Sequence, residues 1–250
     1  MKTLWFSIYD RDAYKGDEPT FYNEKDFAWA EKLKPHLAEI RTELEEHLKK
    51  AGLITYFNSA MTEKAGVWKT ISMKWWGLEV YKHQNYFKRT TELINQIPGI
   101  VSASFNMLDA DAVIKPHNGD TNGIYRCHFG LVVPGTLPEC GFRVETEKRS
   151  WHEGEWLIFV DALNHEAWNK TNKPRYIMVV DVIRPEFQNR KSTICSTVLT
   201  SLFMQKLGER FKFLHNTSLG FQIKLVKMLR PFSFPAMWAR NLASWLGIVD

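Results

Sequence analysis

Side chains able to bind a metal or an anion lie close together in the segment HNGDTNGIYRCHFG. It contains two histidines, His117 and His128, and an arginine, Arg126. Further along the chain, His165 follows the apolar run EWLIFVDA, and Arg175 opens the run RYIMVVDVI. Neutral imidazoles on neighbouring strands suit a first-row metal such as Fe(II), Zn or Cu. An arginine buried beside them needs an anionic partner, and a dicarboxylate could be that partner.

Short strands are predicted to position these residues. Five runs rich in β-branched and aromatic residues occupy the second part of the chain: VSASFNML, YRCHFGLVV, GFRVETE, EWLIFVDA and RYIMVVDVI. Such a series predicts an antiparallel sandwich or barrel, and a jelly roll is one way to close it. Because side chains alternate along a strand, Arg126, His128 and Gly130 share one face, and Arg175 shares a face with Ile177.

Helices are predicted on the N-terminal side of the strands. Residues 24–50 carry apolar side chains at three- and four-residue spacing, which predicts one helix with Asn23 as its cap. A second helix is predicted over residues 85–96. Between them WKTISMKWW alternates like a strand, and its Lys74, Trp75 and Trp76 are candidates to line a substrate mouth.

Composition describes an ordinary globular protein with an uneven charge distribution. Of 250 residues 44% are hydrophobic and 24% charged, and no stretch predicts a membrane span. Three cysteines are too few for a disulfide framework, which favours a reducing cytoplasm. From residue 188 onward nine Lys or Arg face two acidic residues, so the first 187 residues carry −2 of the net +5. This distribution argues against a catalytic domain that binds nucleic acid.

The basic C-terminal segment allows two interpretations. Lys224, Lys227 and Arg230 fall on one helical face, and the sequence PFSFP predicts a break before a second apolar stripe. The segment could be a helical cap packed on the barrel. Alternatively, residues 216–250 could contact an anionic membrane, because basic amphipathic helices that carry tryptophan suit such surfaces. The second interpretation predicts a cytoplasmic protein peripheral to the inner membrane face.

From about residue 68 to residue 185 the chain resembles the aspartyl/asparaginyl β-hydroxylase family of Fe(II)- and 2-oxoglutarate-dependent dioxygenases. The likeness lies in HNGDTNGIYRCHFGLVVP, CGFRVE and SWHEGEWLIFVDALNHEAWNKTNKPRYIMVVDVIRPE, whose order and spacing make it specific. It implies a mainly β fold, a double-stranded β-helix (a cupin-like jelly roll) with flanking helices. The dioxygenase domain would span residues 1–187, with a helical N-terminal part at 1–67 and the core at about 68–187, followed by a basic helical extension at 188–250.

The resemblance also implies a role for several residues. Iron would be held by His128 and His165, while Gly130 stands where most 2-oxoglutarate oxygenases place a carboxylate ligand. Arg175 would bind the C5 carboxylate of 2-oxoglutarate. By its place in CGFRVE, Arg143 is a candidate for the other carboxylate or for substrate.

Further candidates lie around these residues. His117 is assigned to the 2-oxoglutarate site, and Asp161 would orient metal-bound water as the catalytic acid. Asp120, where the mammalian members have proline, is interpreted as a turn or substrate-site residue, and Asn122 likewise. Arg126 either forms a salt bridge in the barrel wall or contacts substrate.

The reaction implied is hydroxylation of an unactivated C–H bond, consuming O2 and releasing succinate and CO2. The first expected substrate is an aspartyl, asparaginyl or other amino-acid or peptide group, modified at the β-carbon. An alternative is the acyl chain of a membrane lipid of the lipid A or ornithine lipid type, docked by the basic tail. GVWKTISMKWWG and INQIPGI also resemble blocks of bacterial lipid A acyl-chain hydroxylases. A third interpretation is a cupin-like module that binds a metal or small acid without turnover.

Overall fold

Two antiparallel sheets face each other in the computed structural model, which describes residues 3–10, 12–56, 58–211 and 217–249. The larger sheet has the order β1-β2-β4-β11-β6-β9, with β3 paired to β2, and the smaller has the order β5-β10-β7-β8. The strands are β1 Ile54–Thr55, β2 Trp68–Trp75, β3 Leu78–Glu79, β4 Ile100–Leu108, β5 Ala112–His117, β6 Ile124–Val132, β7 Cys140–Val144, β8 Glu147–Arg149, β9 Trp156–Val160, β10 His165–Asn169 and β11 Arg175–Ile183. The predicted mainly β jelly roll is confirmed.

Strand alternation separates two apolar layers on the larger sheet. One layer faces the smaller sheet and includes Leu157, Phe159 and Ile177, and these pack on Phe142 of β7. The other layer faces the N-terminal helices and consists of Ile71, Met73, Ala103, Phe105, Cys127, Phe129, Met178 and Val180. Buried apolar surface on both faces of a sheet is the main stabilising term of such a fold. The space between the sheets is where the candidate site lies.

The N-terminal helices are more broken than their periodicity predicts. Within residues 24–50 the chain forms a 3-10 turn, α1 (Ala28–Leu33), a second 3-10 turn and α2 (Leu37–Lys50). Asn23 does cap the start, accepting a hydrogen bond from the backbone N–H of Lys25 at 3.1 Å. The second turn contains Pro35, which has no N–H to continue an α-helix.

The second predicted helix is also divided. It forms as α3 (Tyr81–Tyr86) and α4 (Lys88–Ile94), separated at Phe87. The Phe87 side chain is fully buried against Phe105 of the larger sheet. Tertiary packing of this one aromatic residue therefore accompanies the break between α3 and α4.

Two long helices follow the sheets, α5 (Lys191–Arg210) and α6 (Leu219–Trp245). The expected break at PFSFP is wrong, because α6 continues through Pro231 and Pro235. Each proline leaves a backbone carbonyl one turn earlier without its usual partner. Nearby, the Ser233 hydroxyl donates to the carbonyl of Arg230 at 2.7 Å.

Side chains of α6 fasten it to the hairpin formed by β2 and β3. The Asn241 amide accepts from the Glu79 N–H at 2.8 Å and donates to the Gly77 carbonyl at 3.1 Å. Arg240 donates to the Glu79 carbonyl at 2.8 Å. The C-terminal segment thus packs on the sheet as a cap, and among the described helices none has the length and hydropathy needed to cross a membrane. The domain boundary near residue 187 stays a prediction.

Candidate active site

Two histidines from different sheets face the same interior space. His128 lies on β6 opposite Val179 of β11, and its ring lies 4.8 Å from that of Phe142 and 5.3 Å from that of Phe159. His165 begins β10, and its ring lies 5.8 Å and 5.0 Å from the same two rings. A shared aromatic wall therefore holds both imidazoles. On β5, His117 is paired with His165, at 4.1 Å between ring centroids.

Burial keeps these imidazoles neutral. Desolvation lowers the pKa of His128 and His165 well below 6.5, and the positive charges of Arg175 and Arg126 act in the same direction on His128. Desolvation also lowers the pKa of His117, to about 4. The Nδ1 atom of His165 lies 2.8 Å from the Leu163 carbonyl, so in the neutral ring it carries the proton and Nε2 keeps its lone pair. This is the protonation state that a metal ligand requires.

Arg175 is a buried cation that lacks a complete set of partners. It is 2% exposed, and its Nε and Nη1 atoms have no hydrogen-bond partner in the described parts of the chain. Its guanidinium lies 4.4 Å from the ring centroid of Trp151, whose indole N–H is 3.4 Å from Nδ1 of His128. Desolvation lowers the pKa of Arg175 to about 10. An anionic ligand with two oxygens would satisfy this guanidinium.

Crowding at Gly130 excludes a carboxylate side chain two residues after His128. A Cβ atom at this position would lie 2.1 Å from the carbonyl oxygen of His152 and 2.8 Å from its carbonyl carbon. Both are backbone atoms, and the Gly130 N–H donates to the Glu155 carbonyl at 3.1 Å. No side chain fits there without moving the main chain. Over the described residues, no group of three or more His, Cys, Asp and Glu is arranged to hold a metal.

Arg126 forms salt bridges in the barrel wall, the first of its two predicted roles, while also lining the cavity. It donates from Nε and Nη2 to the two carboxylate oxygens of Asp181 at 2.8 and 3.0 Å, and its Nη1 lies 2.5 Å from Oδ1 of Asp161. Burial raises the pKa of Asp161 to about 7, and the negative charges of Asp181 and Asp120 act in the same direction against Arg126. The carboxylates of Asp161, Asp181 and Asp120 therefore outnumber the Arg126 guanidinium beside them.

Asp161 has contacts that favour a positioning role. Its Oδ2 accepts from the backbone N–H of Asp120 at 3.1 Å, and its backbone carbonyl accepts from the Gly119 N–H at 2.9 Å. A Cβ on Gly119 would lie 2.1 Å from the Asp161 carboxylate, so glycine permits this close approach. Asp161 is not among the described residues that line the cavity, whereas Asp120 is. Orientation of metal-bound water by Asp161 stays a prediction.

Arg143 and Asn122, like Asp161, are not among the described residues that line the cavity. Arg143 is on the face of β7 opposite to Phe142, where it bonds to Glu166 and, at 2.9 Å, to Asn164. The Asn122 amide accepts from the Trp5 N–H at 2.8 Å and is 2% exposed, which ties the N-terminal segment to the turn after β5. Neither is part of the described cavity lining, so their assigned contacts with cosubstrate or substrate stay predictions.

The cavity between the sheets has a volume of about 570 Å³. It brings together His117, His128, His165, Arg175, Asp120 and Arg126, and the predicted mouth residues Lys74, Trp75 and Trp76 also line it. Sequence reasoning did not single out two residues that contact the candidate site residues, Asp181 beside Arg126 and Trp151 beside Arg175. Asp181 carried a signal, because it continues the alternating face that begins at Arg175, whereas Trp151 lies in a loop with no periodic pattern.

Comparisons with known proteins show the family of the chain. Residues 34–185 match the family described as aspartyl/asparaginyl beta-hydroxylase. The chain is 31% identical over 172 residues to the ornithine lipid ester-linked acyl 2-hydroxylase of Rhizobium tropici, covering 67% of this chain and 61% of that protein. It is 39% identical over 90 residues to the aspartyl/asparaginyl beta-hydroxylase of Mus musculus, covering 35% of this chain and 12% of that protein.

Among solved structures, a prolyl-4-hydroxylase of Pseudomonas putida aligns with a TM-score of 0.42 at 12% identity, covering 59% of this chain and 86% of that one. The chain spans less than two thirds of the length of the named sequence relatives. The family match covers more than half of the chain and includes both histidines and Arg175. The chain therefore belongs to the aspartyl/asparaginyl β-hydroxylase family.

Proposed function

We propose that the chain is an Fe(II)- and 2-oxoglutarate-dependent dioxygenase that hydroxylates an unactivated C–H bond. The observation that carries the proposal is Arg175, a buried guanidinium in the same cavity as two neutral imidazoles. Two of its nitrogens have no hydrogen-bond partner among the residues that the structure describes. A buried cation of this kind is costly unless a ligand completes it. A dicarboxylate could bind the Arg175 guanidinium with one carboxylate and a metal held by the histidines with its other end.

The residues present fit such a metal. His128 and His165 would hold it, since both are buried and neutral, and the crowding at Gly130 excludes a carboxylate ligand at that position. When bound, iron together with 2-oxoglutarate and O2 supplies the oxidant that breaks the substrate C–H bond, with succinate and CO2 as co-products. His117 lies against His165 and is proposed to contact the cosubstrate.

The remaining wall residues orient the ligands and exclude water. Arg175 would bind one cosubstrate carboxylate with its planar fork, and Trp151 supports the guanidinium from one side. Phe142 and Phe159 keep the space beside the histidines apolar. Arg126 is fixed by Asp181, so it presents a rigid rather than a mobile cation to the substrate space.

For the substrate, we favour the acyl chain of a membrane lipid over an aspartyl or asparaginyl group. Support comes from the Rhizobium relative, which is named for acyl 2-hydroxylation and matches 67% of this chain. A peptide or amino-acid substrate is the second candidate, because Asp120 and Arg126 give one wall of the cavity a charged character. The basic tail is proposed to dock on an anionic membrane surface.

Succinate release tests both the proposed reaction and the proposed substrate class. Purified protein with Fe(II), ascorbate, 2-oxoglutarate and O2 would be offered three substrate sets: dispersed amino-acid-containing lipids, Asp- or Asn-containing peptides, and free amino acids. We expect lipid-stimulated succinate with a +16 Da product, and none in His165→Ala. Stimulation by peptides alone would move the assignment to the second candidate. Tight 2-oxoglutarate binding with no turnover on any set would favour the non-catalytic module.

A further inference from the structure

A second cavity, of about 460 Å³, lies between the two C-terminal helices. It is lined by Leu199, Leu202 and Phe203 of α5 and by Leu229, Phe232 and Met237 of α6. This second cavity is distinct from the cavity between the sheets that contains His128 and His165, called here the histidine cavity. The two share Trp75, Leu202 and Arg240 as lining residues. An apolar space that adjoins a catalytic cavity can hold a part of the substrate remote from the reacting atom.

We propose that this groove, called here the helix groove, binds the hydrocarbon tail of an acyl substrate while the rest of the lipid occupies the histidine cavity. The proposal rests on the proposed function for its substrate class. The shared residues place the junction of the two spaces at the C-terminal end of β2. There, Arg240 is held by its bond to the Glu79 carbonyl.

The two hydroxyl groups that line the helix groove favour a hydrocarbon occupant. The Thr200 hydroxyl donates to the Ser196 carbonyl at 2.7 Å, and the Ser233 hydroxyl donates to the Arg230 carbonyl at 2.7 Å. Both hydrogens are already used within the helices. A peptide in this groove would bury backbone carbonyls without these hydroxyl donors, at a free-energy cost that an alkyl chain does not incur.

The outer side of the helix groove opens among exposed apolar side chains. Phe203 and Phe232 line it and are 57% and 69% exposed. Of the 15 large hydrophobic residues exposed in the described parts of the chain, 12 lie between Phe203 and Val249. Such a concentration marks a contact surface, and the two tryptophans among these residues, Trp238 and Trp245, suit a lipid surface. A tail could pass from a bilayer into the groove without crossing water.

Binding of a fluorescent fatty acid tests the proposal without requiring catalysis. The probe is cis-parinaric acid, whose emission rises in an apolar site, titrated into the metal-free full chain. Ala236→Trp fills the groove, because Ala236 lines it. The matched control is Ala239→Trp on the same helix, an exposed position outside the described groove lining. We expect Ala236→Trp to weaken binding about 15-fold, as for displacing two methylenes, and Ala239→Trp to change it less than about twofold.

Displacement of the probe by saturated fatty acids of 8 to 16 carbons gives a second measurement on the unmodified chain. Affinity should rise up to about fourfold per added methylene until the groove is filled. No probe binding, equal weakening by both tryptophans, or affinity independent of chain length overturns the proposal. Concentration-dependent dimerisation lost in Ala236→Trp, with no probe binding, would assign the groove to a second copy. Succinate release with substrate is measured separately. If the hydroxylase assignment fails, the fatty-acid binding measurement still tests the helix groove.

Discussion

Replacing Arg175 with methionine is expected to stabilise the metal-free protein while abolishing cosubstrate binding. The folded-state pKa of Arg175, about 10, lies below its usual 12.5, so the charged form costs folding free energy at every pH below about 10. At 1.36 kcal/mol per pKa unit this cost is about 3 kcal/mol. Loss of the contact with the Trp151 ring removes about 1–2 kcal/mol of stabilisation. The net gain in unfolding free energy is about 1–2 kcal/mol.

Two assays measure the opposed effects. Calorimetry of metal-free Arg175→Met should show a Tm higher by roughly 2–8 °C than that of the parent chain. Titration calorimetry of 2-oxoglutarate into the metal-loaded variant should show no binding of 2-oxoglutarate. Arg175→Lys keeps the charge but loses the planar fork, so the apparent KM for 2-oxoglutarate should rise about 10- to 150-fold, the loss of one charge-assisted hydrogen bond.

Arg143→Met is the matched control. Its guanidinium is bonded to Glu166 and Asn164 outside the described cavity lining, so we expect lower stability and an unchanged KM for 2-oxoglutarate. A lower Tm in Arg175→Met would refute the reasoning, because it would show that the fold itself satisfies this guanidinium. A raised KM in Arg143→Met would return that arginine to the cosubstrate site.

Three further predictions concern the metal, the backbone beside it and the tail. His128→Ala and His165→Ala should each lose Fe(II)-dependent 2-oxoglutarate turnover and metal content by elemental analysis; full activity in either variant removes that residue from the ligand set. Gly130→Ala should lower the unfolding free energy by about 1–3 kcal/mol in denaturant titrations, because its methyl group meets the His152 carbonyl; an unchanged midpoint contradicts the crowding. The full chain should sediment with phosphatidylglycerol vesicles at low salt and less at high salt, because each basic residue near the anionic surface contributes roughly 1 kcal/mol of binding free energy that salt screens. Protein that stays in the supernatant at low salt contradicts membrane docking.

Strand alternation predicted which residues of β6 and β11 share a face. It did not predict that His128 and His165 lie in different sheets rather than on neighbouring strands. His128 and Arg175 lie on alternating apolar strands, and a period of two fixes which of their neighbours face inward. Alternation says nothing about what packs on the outside of a strand. Arg143 was assigned to the cosubstrate by its place in CGFRVE, and alternation did not predict that it contacts Glu166. Nor did Asn122 give any sign that it bonds to Trp5.

Other features needed tertiary information. Strand β5 contains Pro116, and β10 reads HEAWN, so neither has the apolar run that marks a buried strand. The continuity of α6 through Pro231 and Pro235 contradicted a rule that holds for isolated helices. The helix groove could not be predicted, since it depends on how α5 and α6 pack together.

The hydrogen bonds from α6 to the β2–β3 hairpin have a consequence for aggregation. Backbone groups of Gly77 and Glu79 point away from β2, and an open strand edge of this kind can pair with another chain. Asn241 and Arg240 occupy these groups, so α6 covers the edge as a neighbouring strand would. A chain that loses this helix exposes both the strand edge and the apolar side of α5 at once. Self-association, rather than unfolding, is then the expected failure of a C-terminally shortened protein.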